Sequence, residues 1–339
     1  MRSTLISLCL ASGLAFAGRA DPALRWDASR SNEVALVRGG ADVWRFHFDP
    51  AASTKPFFDP VCVAGGPSLT WASPPDHRWH YGLWFSWKYL NGLNYWEEKA
   101  GRSEGLTEWS APRIATHGDG RAEIGMGLAY RPGAGAAAVL TERRTVAVSA
   151  PDADGAYHLD WTLAFAAGDA AVTLDRTPLP GEPNGKSWGG YAGLSVRFAP
   201  AFSNVETVAS TVGRVPRDPA GRLDVSAPAA EQNGLVAGRP YGVALLAHPA
   251  NPRAPGDWYP IENPAAPFHY LNAAFLLKGA LTLQPHEALT LRYRVCVHPG
   301  RWDADALRRA SERYAGDPDA ARPIRVLIRQ PRFITAVTC

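Results

Sequence analysis

Apolar and polar residues alternate in short runs along most of this chain, and glycine or proline closes nearly every run. Tyr157 to Ala166 is the clearest case, with His158 and Asp160 on one face and Leu159 and Trp161 on the other. Period-two alternation over so few residues builds β-strands and does not fit a helix. Similar runs occupy Val43 to Phe48, Arg121 to Tyr130, Val139 to Ser149, Tyr191 to Phe198, Tyr241 to His248 and Ala288 to His298. Shorter expected strands are Val34 to Val37, Phe57 to Val63, Gly82 to Trp87, Ala171 to Leu174, Ala274 to Leu277 and Ala280 to Leu283. Asn91-Gly92 is a hairpin turn signal. Val205 to Gln232 reads as polar and irregular, and Thr177 to Gly190 as a Pro/Gly-rich loop. One helix stands out, Asp303 to Tyr314, with Asp303 as N-cap and Gly316 as the stop. Strands so seldom separated by helices argue against a parallel βαβ sheet. The expected fold is all-β: a large antiparallel β-sandwich with one C-terminal helix.

The first residues set the expected compartment. Met1 to Ala20 reads as a secretory signal: Arg2, then an apolar run from Leu5 to Phe16, then small-x-small cleavage candidates. Export to the periplasm or the extracellular space is expected, leaving residues 21–339 as one β-sandwich domain. No stretch approaches the ~18 apolar residues of a membrane span, so none is expected in the mature protein. The formal net charge of +3 is spread without a basic patch, which gives no reason to expect a nucleic-acid partner. Cys9 leaves with the signal, and Cys62, Cys296 and Cys339 remain. An odd number permits at most one internal disulfide, and Cys62 and Cys296 read as small buried hydrophobes on strands.

The functional stretch runs from Ser73 to Glu98. Six of the twelve tryptophans lie between Trp71 and Trp109, interleaved with Asp76, His77, Arg78, His80, Asn91, Asn94, Glu97 and Glu98. Polar groups among large aromatics suit a site for a polar, flat-faced ligand such as a sugar. His77 and His80 fit acid/base chemistry, because imidazole titrates near neutral pH. They also fit a metal site, or a structural role in which each ring packs on a tryptophan. Glu97 and Glu98 are adjacent, so at most one faces a common site. Two further loops hold candidates. Lys186 and Trp188 lie in the Pro/Gly-rich loop, and His248, Asn251, Arg253 and Trp258 follow the strand ending at His248.

Several chemistries lack their motifs. Gly185-Lys186-Ser187-Trp188-Gly189 spells G-x-S-x-G, but it lies in the Pro/Gly-rich loop without the strand-to-helix context of a nucleophile elbow, and there is no H-E-x-x-H and no C-x-x-C-H. No cofactor and no metal are expected. The chain resembles the secreted bacterial PmoA-like family, a domain family of unknown function. The resemblance rests on Asp76-His77 and His80 before Gly82-Leu83-Trp84-Phe85, and on Asn91-Gly92-Leu93-Asn94-Tyr95-Trp96. It rests also on Gly189-Gly190-Tyr191 to Arg197, on His248 to Arg253 and on Leu289 to Val295. Where family members read His-His-Arg-Gly, this chain has Trp79-His80-Tyr81-Gly82. The family name evokes a membrane oxygenase subunit, which the hydropathy of this chain does not match. The resemblance implies a secreted β-sandwich and a use of polysaccharides or glycosides.

The expected function is therefore a carbohydrate-active protein on a sandwich similar in build to galactose-mutarotase-like folds. In that reading His77, His80 and His248 supply acid/base chemistry for epimerisation, elimination or hydrolysis, and share one pocket. Trp84, Trp96, Trp188 and Trp258 stack on sugar faces, while Asn94, Lys186, Asn251 and Arg253 hydrogen-bond hydroxyls or an acidic group. A glycan-binding protein without catalysis is the first alternative, and a metal-dependent oxygenase-type enzyme the second. The exported form is expected to begin between Gly18 and Asp21, which N-terminal sequencing reads directly; retention of the full-length chain in the cytoplasm counts against the leader.

Overall fold

The computed structural model describes residues 23–216 and 225–318. The expected leader, Met1 to Ala20, and Cys339 lie outside the described residues. Within them the chain is all-β with one helix, Ala304–Ala315. A nine-stranded sheet runs in the order Leu24–Asp27, Glu33–Arg38, Ala41–His47, Phe57–Val61, Leu83–Ser86, Gly193–Arg197, Phe268–Ala273, Gly256–Asn263, Val225–Ala227. A ten-stranded sheet has Ala229–Val236, Arg239–Ala247, Ala288–Pro299, Tyr157–Ala167 and Leu140–Val148 at its centre. A four-stranded sheet joins Leu281–Leu283, Val172–Asp175, Tyr89–Leu90 and Leu93–Asn94. The strands pair antiparallel.

The alternation read from the sequence is what packs the two large sheets together. Tyr157–Ala167 buries every second side chain, and Tyr157, Leu159, Trp161, Leu163 and Phe165 enter the main core. Phe58 and Phe85, from the facing sheet, meet Trp161 and Phe165 at ring-centroid distances of 5.7 and 5.5 Å. Cys62 and Cys296 are both buried and unpaired. The turn at Asn91-Gly92 joins Tyr89–Leu90 to Leu93–Asn94, with both turn residues at positive φ, as a type I′ hairpin demands. At the helix, Asp303 Oδ1 accepts a hydrogen bond from Ala306 N at 2.8 Å and satisfies one of the free first-turn amides.

Each large sheet also carries apolar residues on its outer face. Behind the ten-stranded sheet, Ala244 and Leu246 pack under Leu307, Ala310 and Tyr314 of the helix. Behind the nine-stranded sheet, Trp84, Tyr259 and Tyr270 gather with Tyr81 and Trp96 from loops. Both faces are thus covered at the centre of each sheet, so central strands such as Leu83–Ser86 are buried at every residue.

The structure differs from the sequence reading in several places, and Leu106–Trp109 and Arg113–Thr116 are strands that the pattern does not announce. The described parts of Val205 to Gln232 include regular strands: Ser203–Ala209 is a strand, and Ala229–Val236 is a central one. The polar residues of the second strand, Glu231, Gln232 and Asn233, are buried, and Gln232 Nε2 donates to Ile261 O at 2.9 Å. Gly256–Asn263 and Phe268–Ala273 are paired strands, although Pro260 and Asn263 look like loop residues. Ala274 to Leu277 is a turn following the second of them.

Gly82 turns the chain from the histidine loop into Leu83–Ser86. Its φ is +69°, and an added Cβ would lie 2.6 Å from the carbonyl oxygen of Phe58. Gly82→Ala should therefore lower stability by at least ~2 kcal/mol, from left-handed backbone strain plus a backbone clash. Urea unfolding measures this, and a variant as stable as the wild type would show that the turn relaxes freely.

Candidate functional site

The outer face of the nine-stranded sheet holds a cavity of about 360 Å³. Alternation places its floor: Tyr259, Ile261 and Tyr270 point outward where Trp258 and Leu271 point into the core, and Trp84, whose neighbour Phe85 points into the core, packs beneath Tyr270 and His80. Loops supply the walls. Trp79, His77 and His80 come from the segment 73–80, Trp96 and Glu97 from the chain after the Asn91-Gly92 hairpin, and Trp188 and Tyr191 from the glycine-rich loop. The histidine loop is compact because backbone bonds close it. Ser73 N donates to His80 O at 2.7 Å, His77 N to Pro74 O at 3.1 Å, and His80 N to His77 O at 2.9 Å. Those turns bring the two imidazoles to 4.7 Å between ring centroids.

The two histidines differ in environment. His77 is partly exposed, and its Nδ1 lies 3.1 Å from Asp76 Oδ2. The same Asp76 oxygen accepts a hydrogen bond of 2.7 Å from Arg197 Nη2. Burial pushes the Asp76 carboxyl upward, but the hydrogen bond and charge of Arg197 outweigh it and hold it below its usual value. Among the described residues no partner stands in hydrogen-bonding geometry to His77 Nδ1, so the ionised carboxylate acts on the ring through its charge, which favours a proton on the near nitrogen and leaves the other to act on a ligand. His80, by contrast, is buried and stacked on Tyr270 at 5.3 Å. Burial first, then the charges of His77, Arg197 and Lys55, hold it well below the ordinary imidazole range. His80 is neutral at physiological pH.

Glu97 is the carboxylate on the cavity wall. Its Oε1 accepts from Tyr191 Oη at 2.6 Å, and its Oε2 accepts from Asn94 Nδ2 at 2.6 Å and pairs with Lys88 Nζ. Burial would raise its pKa, but Lys88 and the hydrogen bonds win and lower it, so Glu97 is ionised. Glu98 points the other way, to Lys55 and Tyr81 at 3.0 and 2.8 Å. Strand-like alternation sends only one of the two adjacent glutamates to the cavity.

The structure brings His77, His80, Trp96 and Trp188 to this cavity, with Trp84 directly beneath His80 at 5.1 Å. Asn94 sits one layer back and orients Glu97. Lys186 is exposed on the Trp188 loop and outside the lining. The expected sharing of one pocket by His248 is corrected. His248 continues the parity of Ala244 and Leu246, so it lies on the outer face of the other large sheet, against Tyr314 at 5.2 Å. Its Nδ1 accepts from Ala250 N at 3.1 Å. Asn251 and Arg253 are likewise absent from the cavity. Asn251 bonds both backbone groups of Arg292, at 2.8 and 2.7 Å, and Arg253 donates to the carbonyls of Gly279 and Ala280 at 2.7 and 2.8 Å. Trp258 is a core residue whose Nε1 donates to Ala227 O at 2.9 Å.

Tyr259, Ile261, Phe268 and Tyr270 line the cavity without having been anticipated. No strand is expected from the sequence over residues 256–273, so the one-residue step from Trp258 to Tyr259 that changes faces is invisible there. Tyr191 and Arg197 lay in an expected strand, but nothing local tied them to His77. Among the described residues, no three His, Cys, Asp or Glu side chains converge as a metal ion would need. No described helix is long and apolar enough to cross a membrane.

Residues 33–312 match the model of a family of unknown function, DUF6807, and the chain belongs to that family. No curated protein matches the chain.

Neutral His80 links the site to stability. The unfolded chain takes up a proton on this imidazole near pH ~6.5, and the folded chain does not. The unfolded state then binds more protons as pH falls, so this contribution is full above about pH 6.5 and is lost progressively below it. His80→Phe, which keeps the ring contacts, should flatten the fall in unfolding free energy between about pH 7.5 and 5 relative to wild type. Parallel curves for the two proteins would show that His80 is protonated in the fold.

Proposed function

We propose that this DUF6807 protein is a carbohydrate-active enzyme that binds one end of a saccharide in the outer-face cavity and uses His77 as its acid/base. One observation carries the reading: His77, held between an aromatic-walled cavity and the Asp76–Arg197 pair, with its Nδ1 3.1 Å from Asp76. The walls support the ligand class. Indole and phenol rings offer flat apolar faces for the C–H faces of a pyranose, with His77, His80 and Glu97 as the few polar groups that fix orientation. A cavity of about 360 Å³ sits at the small end of ligand sites, which favours one or two sugar units over a threaded polymer.

The proposed roles follow from environment. Asp76, kept ionised by Arg197, holds the His77 proton on Nδ1 and leaves Nε2 to take a proton from the ligand. The imidazolium that forms is stabilised by the same carboxylate, and can return the proton to a leaving oxygen or, for epimerisation, to a carbon whose planar intermediate has turned its other face toward His77. His80, neutral and buried, offers a hydrogen bond without a charge. Glu97, fixed by Tyr191, Asn94 and Lys88, accepts from ligand hydroxyls. This division accommodates epimerisation, elimination or hydrolysis, and the export expected from the leader-like first twenty residues would meet a saccharide outside the cell.

The test is a saccharide panel followed by calorimetry and product analysis on purified protein. His77→Ala should cost about 10²-fold in rate with binding retained. Trp188 is 56% exposed, so Trp188→Ala should leave the fold intact and weaken binding by roughly tenfold. Binding that survives with no turnover under any condition reduces the protein to a glycan-binding one, whereas the absence of saccharide binding overturns the reading.

A further inference from the structure

We infer that the cavity selects an uncharged ring and rejects both anionic and cationic ones; on the reading above, its ligand is a neutral pyranose and neither a uronate, a sulfated sugar nor an amino sugar. The sugar identity rests on that reading, and the charge selection rests on geometry alone.

Among the described residues lining the cavity there is no lysine or arginine, and Glu97 is the one carboxylate. Three cations stand immediately behind the walls, and each already has a carboxylate. Arg197 is fully buried, donates to Asp76 at 2.7 Å, and lies 3.9 Å from the centre of the Phe268 ring. Lys88 pairs with Glu97. Lys55, buried beneath Trp96 with its Nζ 3.0 Å from Trp96 O, pairs with Glu98 at 3.0 Å. Cations and anions behind the walls therefore balance in charge pair by pair, although Arg197 is engaged through Nη2 alone and its Nε and Nη1, near the Phe268 ring and outside the lining, have no hydrogen-bond partner among the described residues.

A ligand carboxylate or sulfate would give up water against aromatic walls and meet Glu97 with no cation left to compensate it. A ligand ammonium meets the reverse problem. The oxygens of Glu97 already accept from Lys88, Asn94 and Tyr191, and the positive charge of Lys88 stands beside them. Aromatic walls attract cations, but Lys88 Nζ already lies 5.3 Å from the centre of the Tyr191 ring. Arg78 and Lys186 are exposed and outside the lining, where water and salt screen them. An uncharged polyol loses least on entry, and finds acceptors in Glu97 and His80.

Two matched ligand series on the wild-type protein test this, read by tryptophan fluorescence and calorimetry at neutral pH. One is methyl glucoside, glucuronate and glucosamine; the other, free of any sugar, is benzyl alcohol, benzoate and benzylammonium. The uncharged member of each should bind roughly tenfold or more tightly than its charged partners, and Trp188→Ala should weaken it. Benzoate or benzylammonium binding as tightly as benzyl alcohol overturns the inference. So does failure of both series to bind, or binding indifferent to Trp188→Ala. Preference for benzyl alcohol with no sugar bound sustains the charge selection and removes the carbohydrate reading.

Discussion

A β-strand sends successive side chains to opposite faces, and in this protein both faces of the central strands are occupied. That constraint decides where everything else goes. In Leu83–Ser86, Phe85 must fill the gap between the sheets while Trp84 lies on the outside, and the same division separates Trp258 from Tyr259 and Leu271 from Tyr270. One set of residues makes the core, and the intervening set makes the floor of the cavity. Slipping any of these strands by one residue would exchange core for site. The core and the candidate site are therefore two sides of one register.

An aromatic sheet face cannot by itself do chemistry, so polar groups come from loops and have to survive partial burial there. They do so in pairs. Arg197 enters from a central strand and meets Asp76 from the histidine loop, 121 residues earlier. Lys88 and Glu97 close the hairpin that carries Trp96, and Lys55 and Glu98 lie beneath it. Each pair leaves a charged group where it would otherwise be costly, and each ties a loop to the sheet. The division between the histidines follows from the same economy: His77 keeps a carboxylate and some solvent, while His80 has only rings and neighbouring cations and stays neutral.

The outer face of the second sheet is handled differently. The helix Ala304–Ala315 covers it, with Tyr314 between His248 and Arg294. Here the polar residues serve the backbone: Asn251 and Arg253 bond main-chain groups that a loop beside a sheet would otherwise leave unpaired. The composition of this loop, histidine, asparagine and arginine near tryptophan, matches that of a binding loop. Its function in the fold is to anchor a turn.

Local pattern alone determined much of this protein. Period-two alternation set the all-β class and half of the strands of the larger sheet, Asp303 and Gly316 bracketed the helix, Asn91-Gly92 marked its hairpin, and the density of tryptophan around His77 and His80 marked the stretch that reaches the cavity. These features are legible because strand period, capping and turn geometry act over a few residues. Strands rich in polar residues, such as Ala229–Val236, escaped that reading because their side chains find partners only across the sheet. Tertiary structure alone decided which distant residues share a space. It brought Tyr191, Arg197, Phe268 and Tyr270 to His77 and took His248 to the opposite outer face. The physical reason is that strand order and sheet pairing are set by long-range packing, and a single residue of parity, which no local motif records, chooses the face on which a side chain emerges.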